Sequence, residues 1–180
     1  VGKAACREAL LKEFGLEESG SGRTLVAGVV ARFAEQKGFD LLIAALPKLA
    51  KKRVRIIVLG NGEKAIREAL EDAARRHPET LAVRARFDNA LAHRVYAGSD
   101  AFLMPSRYEP CGLSQLIAMR YGTLPIARAV GGLVDTIAPV DDRKKTGTGF
   151  LFRVHTADAF AKAVEAALNA YEDEPLWKKL

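Results

Sequence analysis

Short apolar runs alternate along this chain with longer stretches in which apolar residues recur at helical spacing. The runs fall at 24–30 (TLVAGVV), 54–59, 81–87, 101–104, 124–127 and 150–152. The first is continuous and β-branched, which predicts a parallel strand buried on both faces. Residues 81–87 alternate apolar with basic positions and predict a strand nearer a sheet edge. Helical spacing predicts a helix over 3–14 with Ala5, Ala9, Leu10 and Phe14 on one face, closed by Gly15. Further helices are expected over 39–51 (Leu42, Ala45, Leu46 and Leu49 inward), 63–76, 90–97, from Gly112 onward, from Gly131-Gly132 onward, and over 157–171 (Phe160, Val164, Ala167 and Leu168 inward). Glu174-Pro175 opens a last helical segment. Polar, glycine-rich stretches at 17–23, 32–38 and 139–149 read as loops. Strand and helix alternate about six times, so the expected fold is α/β: a Rossmann-like three-layer sandwich with a parallel sheet of about six strands. No second core is visible, so residues 1–180 are expected to form a single domain.

The richest stretch is 105–137, PSRYEPCGLSQLIAMRYGTLPIARAVGGLVDTI. It holds two strand ends, each followed by a helix start. In open α/β sheets ligands bind outside the carboxyl ends of strands, and helix starts offer unpaired N–H groups to anions. Glu109 stands in the loop between them.

Composition narrows the partner. The net charge of +6 favours an anionic one. Aromatics are few and no basic block interleaves with them, so a phosphate-bearing small molecule suits the chain as well as nucleic acid does. No apolar run approaches the roughly 20 residues that span a bilayer, and there is no basic-then-apolar leader at the start. Cys6 and Cys111 lie far apart, which suits neither a disulfide framework nor a zinc site and fits a reducing compartment.

Several residues could carry chemistry. Arg32 and Lys37 lie just past the first buried strand, five residues apart. Together they suit a diphosphate, although two solvated basic residues would look the same. Gly60-Asn61-Gly62 with Ala65 matches G-x-G-x-x-A, and Asp88 could be the acidic ribose partner of a nicotinamide cofactor. Against that reading, Glu63 would stand where pyrophosphate sits, and a tight turn alone also needs glycine. Glu109 could accept two sugar hydroxyls or move a proton, or be an ordinary surface residue. Cys111 lacks an evident base, since His77, His93 and His155 read as loop or helix-surface residues. Phe87 would end the third strand, either stacking on a base or filling the core, and the residues alone favour the core.

The stretch 105–136 resembles the C-terminal domain of bacterial glycogen synthases and plant starch synthases, retaining glucosyltransferases built from two facing Rossmann-like domains (the GT-B fold). VVARFAEQKGFDLL, VLGNGE, ARFDNALAHRVYAGSD and the terminal Leu-Trp also follow that family's order, so the resemblance covers nearly the whole chain. It implies that this domain binds a nucleotide-sugar donor, usually ADP-glucose, and extends an α-1,4-glucan at its non-reducing end. Arg32 and Lys37 would hold the diphosphate, and Glu109 the glucosyl hydroxyls. Cys111 and Gly112 would line the sugar pocket, while Leu113 and Ser114 would offer N–H groups to the distal phosphate. Gly131 and Gly132 belong to the same motif, and Phe87 would lie by the adenine. Ile117 stands where many related transferases carry a second Glu, a departure that glycogen and starch synthases share. Val130 replaces a Thr common before the glycine pair, and Ser114 another common Thr. The family's N-terminal domain and its last helix are not in this sequence, so the chain alone is expected not to catalyse transfer. No cofactor, metal, nucleic acid or membrane partner is expected, and the compartment would be bacterial cytoplasm or plastid stroma. The alternatives are an NAD(P)-binding Rossmann domain and a non-catalytic nucleotide- or polysaccharide-binding module.

Overall fold

The computed structural model describes residues 2–16, 22–141 and 143–180. Most of the loop expected at 17–23, and Asp142 in the loop at 139–149, lie outside the described residues. The strands are β1 (Leu25–Val30), β2 (Val54–Leu59), β3 (Leu81–Arg84), β4 (Ala101–Met104), β5 (Leu124–Arg128) and β6 (Phe150–Phe152). They form one sheet in the order β3-β2-β1-β4-β5-β6, every pair parallel. This is the doubly wound order, with its reversal point between β1 and β4.

The helices are α1 (Lys3–Phe14), α2 (Phe39–Leu49), α3 (Lys64–Arg76), α4 (Asn89–Gly98), α5 (Ser114–Arg120), α6 (Gly132–Thr136), α7 (Ala157–Glu172) and α8 (Glu174–Trp177). Leu25, Ala27 and Val29 of β1 pack with α2, α3 and α7 on one face of the sheet. Val26 meets α1 and α4 on the other, where α5 and α6 also lie. Burial on both faces explains why β1 reads as an unbroken apolar run. The inward residues expected on α2 and α7 are all buried.

Two expectations need correction. On α1 the buried residues are Leu10, Leu11 and Phe14, while Ala5 and Ala9 are exposed. Leu11 removes far more apolar area from water than either alanine, so the helix turns to bury it. Strand β3 ends at Arg84 rather than at 87, because its neighbour β2 ends at Leu59, the register partner of Arg84. Residues 85–87 have no backbone left to pair with, and the chain turns away.

At the opposite end of the sheet from the strand carboxyl ends, Asp100 accepts hydrogen bonds from the Val26 N–H (2.9 Å) and Arg7 Nε (3.1 Å). Lys3 Nζ donates to Tyr121 O (3.2 Å) and to Thr123 Oγ1. Burial lowers the Lys3 ammonium from its ordinary 10.5 to about 8, against the pull of Asp100, and burial pushes Asp100 up despite Arg7. Between pH 8 and the ordinary lysine value the unfolded chain therefore binds more protons than the folded one, so this group makes stability rise with pH across that window. Urea midpoints of the unsubstituted chain and Lys3→Met between pH 7.5 and 10 check this. The substitution is expected to remove the rise, and an equal slope in both chains would refute it.

Candidate functional site

Two loops meet where the sheet order reverses. One follows β1 and contains a single 3-10 turn, Glu35–Lys37, closed by Gly38. The other follows β4 and runs from 105 to 113. Arg107 N–H donates to Gln36 O (2.8 Å), and Gln36 Nε2 donates to Tyr108 O (2.9 Å). The Arg107 guanidinium reaches Asp40 (2.6 Å), and Arg128 Nη1 donates to Arg107 O (2.8 Å). Gly38 has φ +70°, and a Cβ there would overlap the Pro105 carbonyl. The two loops are thus sewn together by backbone contacts that leave no room for a side chain at 38.

That seam brings Lys37 to Glu109. Nζ lies 2.6 Å from Oε2, with the Lys37 side chain 24% and the Glu109 side chain 9% exposed. Ser106 Oγ donates to the same oxygen (3.3 Å), and among the described residues Oε1 has no partner. A cavity of about 350 Å³ opens beside the pair, lined by Lys37, Glu109, Cys111, Gly112, Leu113 and Ser114. A second cavity of about 610 Å³ lies over the ends of β1 and β2, with Arg32, Gly60, Phe87, His93, Tyr96 and Ile117 in its walls. The Tyr96 phenol lies near Ser114, at the boundary between the two. Burial raises the Tyr96 phenol.

The residues singled out from sequence therefore divide. Lys37, Glu109, Cys111, Gly112, Leu113 and Ser114 share the smaller cavity, while Arg32 and Phe87 belong to the larger. Arg32 is exposed and has no hydrogen-bond or ion-pair partner among the described residues, a cation free to take an anion. Phe87 is neither a strand end nor a core residue: it stands 88% exposed beyond β3. Gly131 and Gly132 line neither cavity. Gly132 N–H donates to Glu109 O (3.2 Å) and Pro110 O (3.0 Å), and Gly131, at φ +48°, presses against the Glu109 carbonyl. Their contribution is to brace the Glu109 loop. No histidine lines the smaller cavity, so Cys111 has no imidazole base there. No group of three or more potential metal ligands occurs among the described residues.

The nicotinamide reading loses its parts. Asp88 caps α4, accepting from the Leu91 N–H (2.8 Å), and pairs with Arg86 (3.0 Å). Glu63 N–H donates to Phe33 O, and Phe33 N–H donates to Asn61 O (both 2.8 Å). The Gly60–Gly62 turn is thus a clasp for the loop after β1, and it also lines the larger cavity.

Sequence reasoning did not single out Ser106, Tyr96 or Gln115, and it placed His93 only on a helix surface. His93 does lie exposed on α4, with Nδ1 2.9 Å from Tyr121 Oη, but it also lines the larger cavity. Ser106 and Gln115 bond mostly to near neighbours in one loop, where no motif spacing marks them, and His93 meets Tyr121 28 residues away. Many of the large exposed apolar side chains (Phe87, Tyr108, Leu113, Ile117, Val134 and Val154) lie in segments that leave the carboxyl ends of strands.

Fold and site define a doubly wound α/β domain with its cleft at the reversal point of the sheet. The chain belongs to the family "Glycosyl transferases group 1", whose model matches residues 16–179. It is 49% identical to a glycogen synthase of Anaeromyxobacter dehalogenans (strain 2CP-1) over 180 residues, all of this chain and 37% of that protein. It is 46% identical to a glycogen synthase of Koribacter versatilis over 178 residues, 99% of this chain and 36% of that protein. Among solved structures, the catalytic domain of starch synthase IV from Arabidopsis thaliana, bound to ADP and acarbose, superposes with TM-score 0.88 at 34% identity, covering 98% of this chain and 37% of that one. The sucrose-phosphate synthase of Thermosynechococcus elongatus gives TM-score 0.72 at 25% identity, over 96% of this chain and 42% of that one. The architecture is that of one half of a GT-B glycosyltransferase. The chain spans little more than a third of the length of these glycogen synthases. Among the described residues no helix is long and apolar enough to cross a membrane.

Proposed function

We propose that this chain is the nucleotide-sugar-binding part of an ADP-glucose-dependent glycogen or starch synthase, transferring glucose with retention to the non-reducing end of an α-1,4-glucan. The observation that carries the reading is the pairing of two cavities across the reversal point. One holds an unpaired guanidinium and an exposed aromatic ring, the other a lysine bound to a buried carboxylate. The base and ribose occupy the larger cavity, with Phe87 against the adenine. The diphosphate lies between Arg32 and Lys37, and the glucosyl hydroxyls reach Glu109, whose Oε1 remains available as an acceptor. The starch synthase IV structure, with ADP and acarbose, supports both the nucleotide and the glucan as partners.

Breaking the glucosyl–phosphate bond leaves the bonding pair on the departing diphosphate and positive charge on the sugar ring. Arg32 and Lys37 stabilise the leaving group as its charge grows, an effect worth a few kcal/mol per donor. Glu109 fixes the ring through its hydroxyls and offsets the developing positive charge. The 180 residues alone bind nucleotide without turnover, because the cleft they form has one wall and the relatives extend well beyond this region. Bacterial cytoplasm is the proposed compartment, in keeping with the bacterial relatives.

Calorimetric titration with ADP, UDP and NAD tests the reading. ADP is expected to bind best, and Arg32→Ala to weaken it. Equal binding of NAD by the unsubstituted and Arg32→Ala chains would overturn the assignment. Phe87→Ala is expected to weaken ADP binding about tenfold, the worth of one base–aromatic stack, without moving the melting temperature, since the ring is 88% exposed. Unchanged affinity would take Phe87 out of the base site.

A further inference from the structure

Gln115 is fully buried at the start of α5, one residue behind the wall of the smaller cavity. Its Nε2 faces three oxygens: Cys111 O (3.2 Å), Gly112 O (3.0 Å) and Thr136 Oγ1 (3.1 Å). Thr136 in turn donates to Gly132 O (2.7 Å), which anchors the amide to the glycine pair that braces the Glu109 loop. Two of the three acceptors are consecutive backbone carbonyls, and that has a geometric consequence. In a planar trans peptide the C=O of one residue and the N–H of the next point in opposite directions. With the carbonyls of Cys111 and Gly112 drawn inward to Gln115, the N–H groups of Gly112 and Leu113 are turned the other way. Both residues line the cavity that also holds Lys37. Neither N–H donates to any acceptor among the described residues. Gly112 is left-handed (φ +71°) and Leu113 right-handed (φ −118°, ψ −27°), a succession that converges neighbouring N–H groups on one anion.

We propose that Gln115 is a positioning residue for the leaving group: it holds the peptides at 111–113 so that the Gly112 and Leu113 N–H groups face the distal phosphate of a nucleoside diphosphate. This deepens the proposed function and rests on it. Gln115 touches no substrate. It acts by fixing two donors in advance, so that they need no reorientation as charge develops on the phosphate. Gly112 serves the same end, since a Cβ there would stand 2.5 Å from Gln115 Oε1 and push the amide off its carbonyls.

The test is an NMR titration of the ¹⁵N-labelled chain with ADP, comparing the unsubstituted chain with Gln115→Met, which keeps the length and removes the donors. In the unsubstituted chain ADP is expected to shift the Gly112 and Leu113 amide protons downfield. In Gln115→Met both shifts are expected to vanish and affinity to fall about tenfold, while the β1 and α2 resonances stay in place. Gly112→Ala, which perturbs the same amide from the cavity side, is expected to lose the same shifts, and it decides the matter if Gln115→Met does not fold. Retention of both shifts in the folded variant overturns the proposal. ADP shifts in the unsubstituted chain that reach Phe87 and Arg32 but spare 112 and 113 overturn it while leaving the nucleotide site intact. No response to ADP anywhere overturns both.

Discussion

Lys37→Met is expected to lower the unfolding free energy by about 3 kcal/mol and to weaken ADP binding at least a hundredfold, on the order of the effect seen when one partner of a desolvated, hydrogen-bonded charge pair is removed. The stability loss comes from what is left behind. The Glu109 side chain is 9% exposed, and Lys37 and Ser106 both meet the same carboxylate oxygen. Without the ammonium, a nearly buried negative charge keeps only a hydroxyl for company. The double variant Lys37→Met/Glu109→Gln separates the two effects. A neutral amide in place of the carboxylate removes the uncompensated charge, so about two-thirds of the lost stability should return, while ADP binding stays weak because the cation is still missing. Urea midpoints and calorimetry on the single and double variants measure both quantities. If the double variant is no more stable than the single one, the pair does not hold the loop as described. If it recovers ADP binding, Lys37 does not contact the phosphates.

The second large effect belongs to Gly38→Ala, expected to cost about 3–4 kcal/mol, against about 1–2 kcal/mol for Gly122→Ala. The two glycines have nearly the same left-handed φ, +70° and +68°. Nothing stands within 4 Å of a Cβ at 122, whereas at 38 it would overlap the Pro105 carbonyl. Gly122→Ala therefore reports the left-handed strain alone, and the difference between the variants reports the close approach of the two loops. Gly38→Ala should also displace the 105–109 loop and weaken ADP binding, which Gly122→Ala should leave unchanged. Equal destabilisation by the two substitutions would mean that the seam yields at no cost.

The layered fold was legible because burial on both faces of a parallel sheet leaves unbroken apolar runs, and β1 and β4 carry them. What misled was length. The alternation at 81–87 continues past the point where β2 stops offering hydrogen bonds, and strand pairing belongs to the neighbour as much as to the run itself. Phe87 followed from the same error, since a large apolar side chain at a strand end reads as core until the strand is seen to end earlier. Arg32, Lys37 and Glu109 were legible one by one from their places after strands. Their partition was not: Lys37 meets a carboxylate 72 residues away, and Arg32 remains free. Gln115 was invisible as a participant because its three partners come together only when α6 packs on the loop after β4.

The apolar side chains along the strand carboxyl ends have a bearing on how the chain behaves in a test tube. With a charge of +6 the molecules repel one another, yet one edge of each carries Phe87, Tyr108 and Leu113 at 88, 60 and 70% exposure. Such a particle is colloidally lopsided. Added salt screens the repulsion within about 10 Å at 0.1 M and leaves the apolar edge untouched, so self-association of this chain should begin at the same edge to which we assign the nucleotide, and a ligand seated there should keep it dispersed.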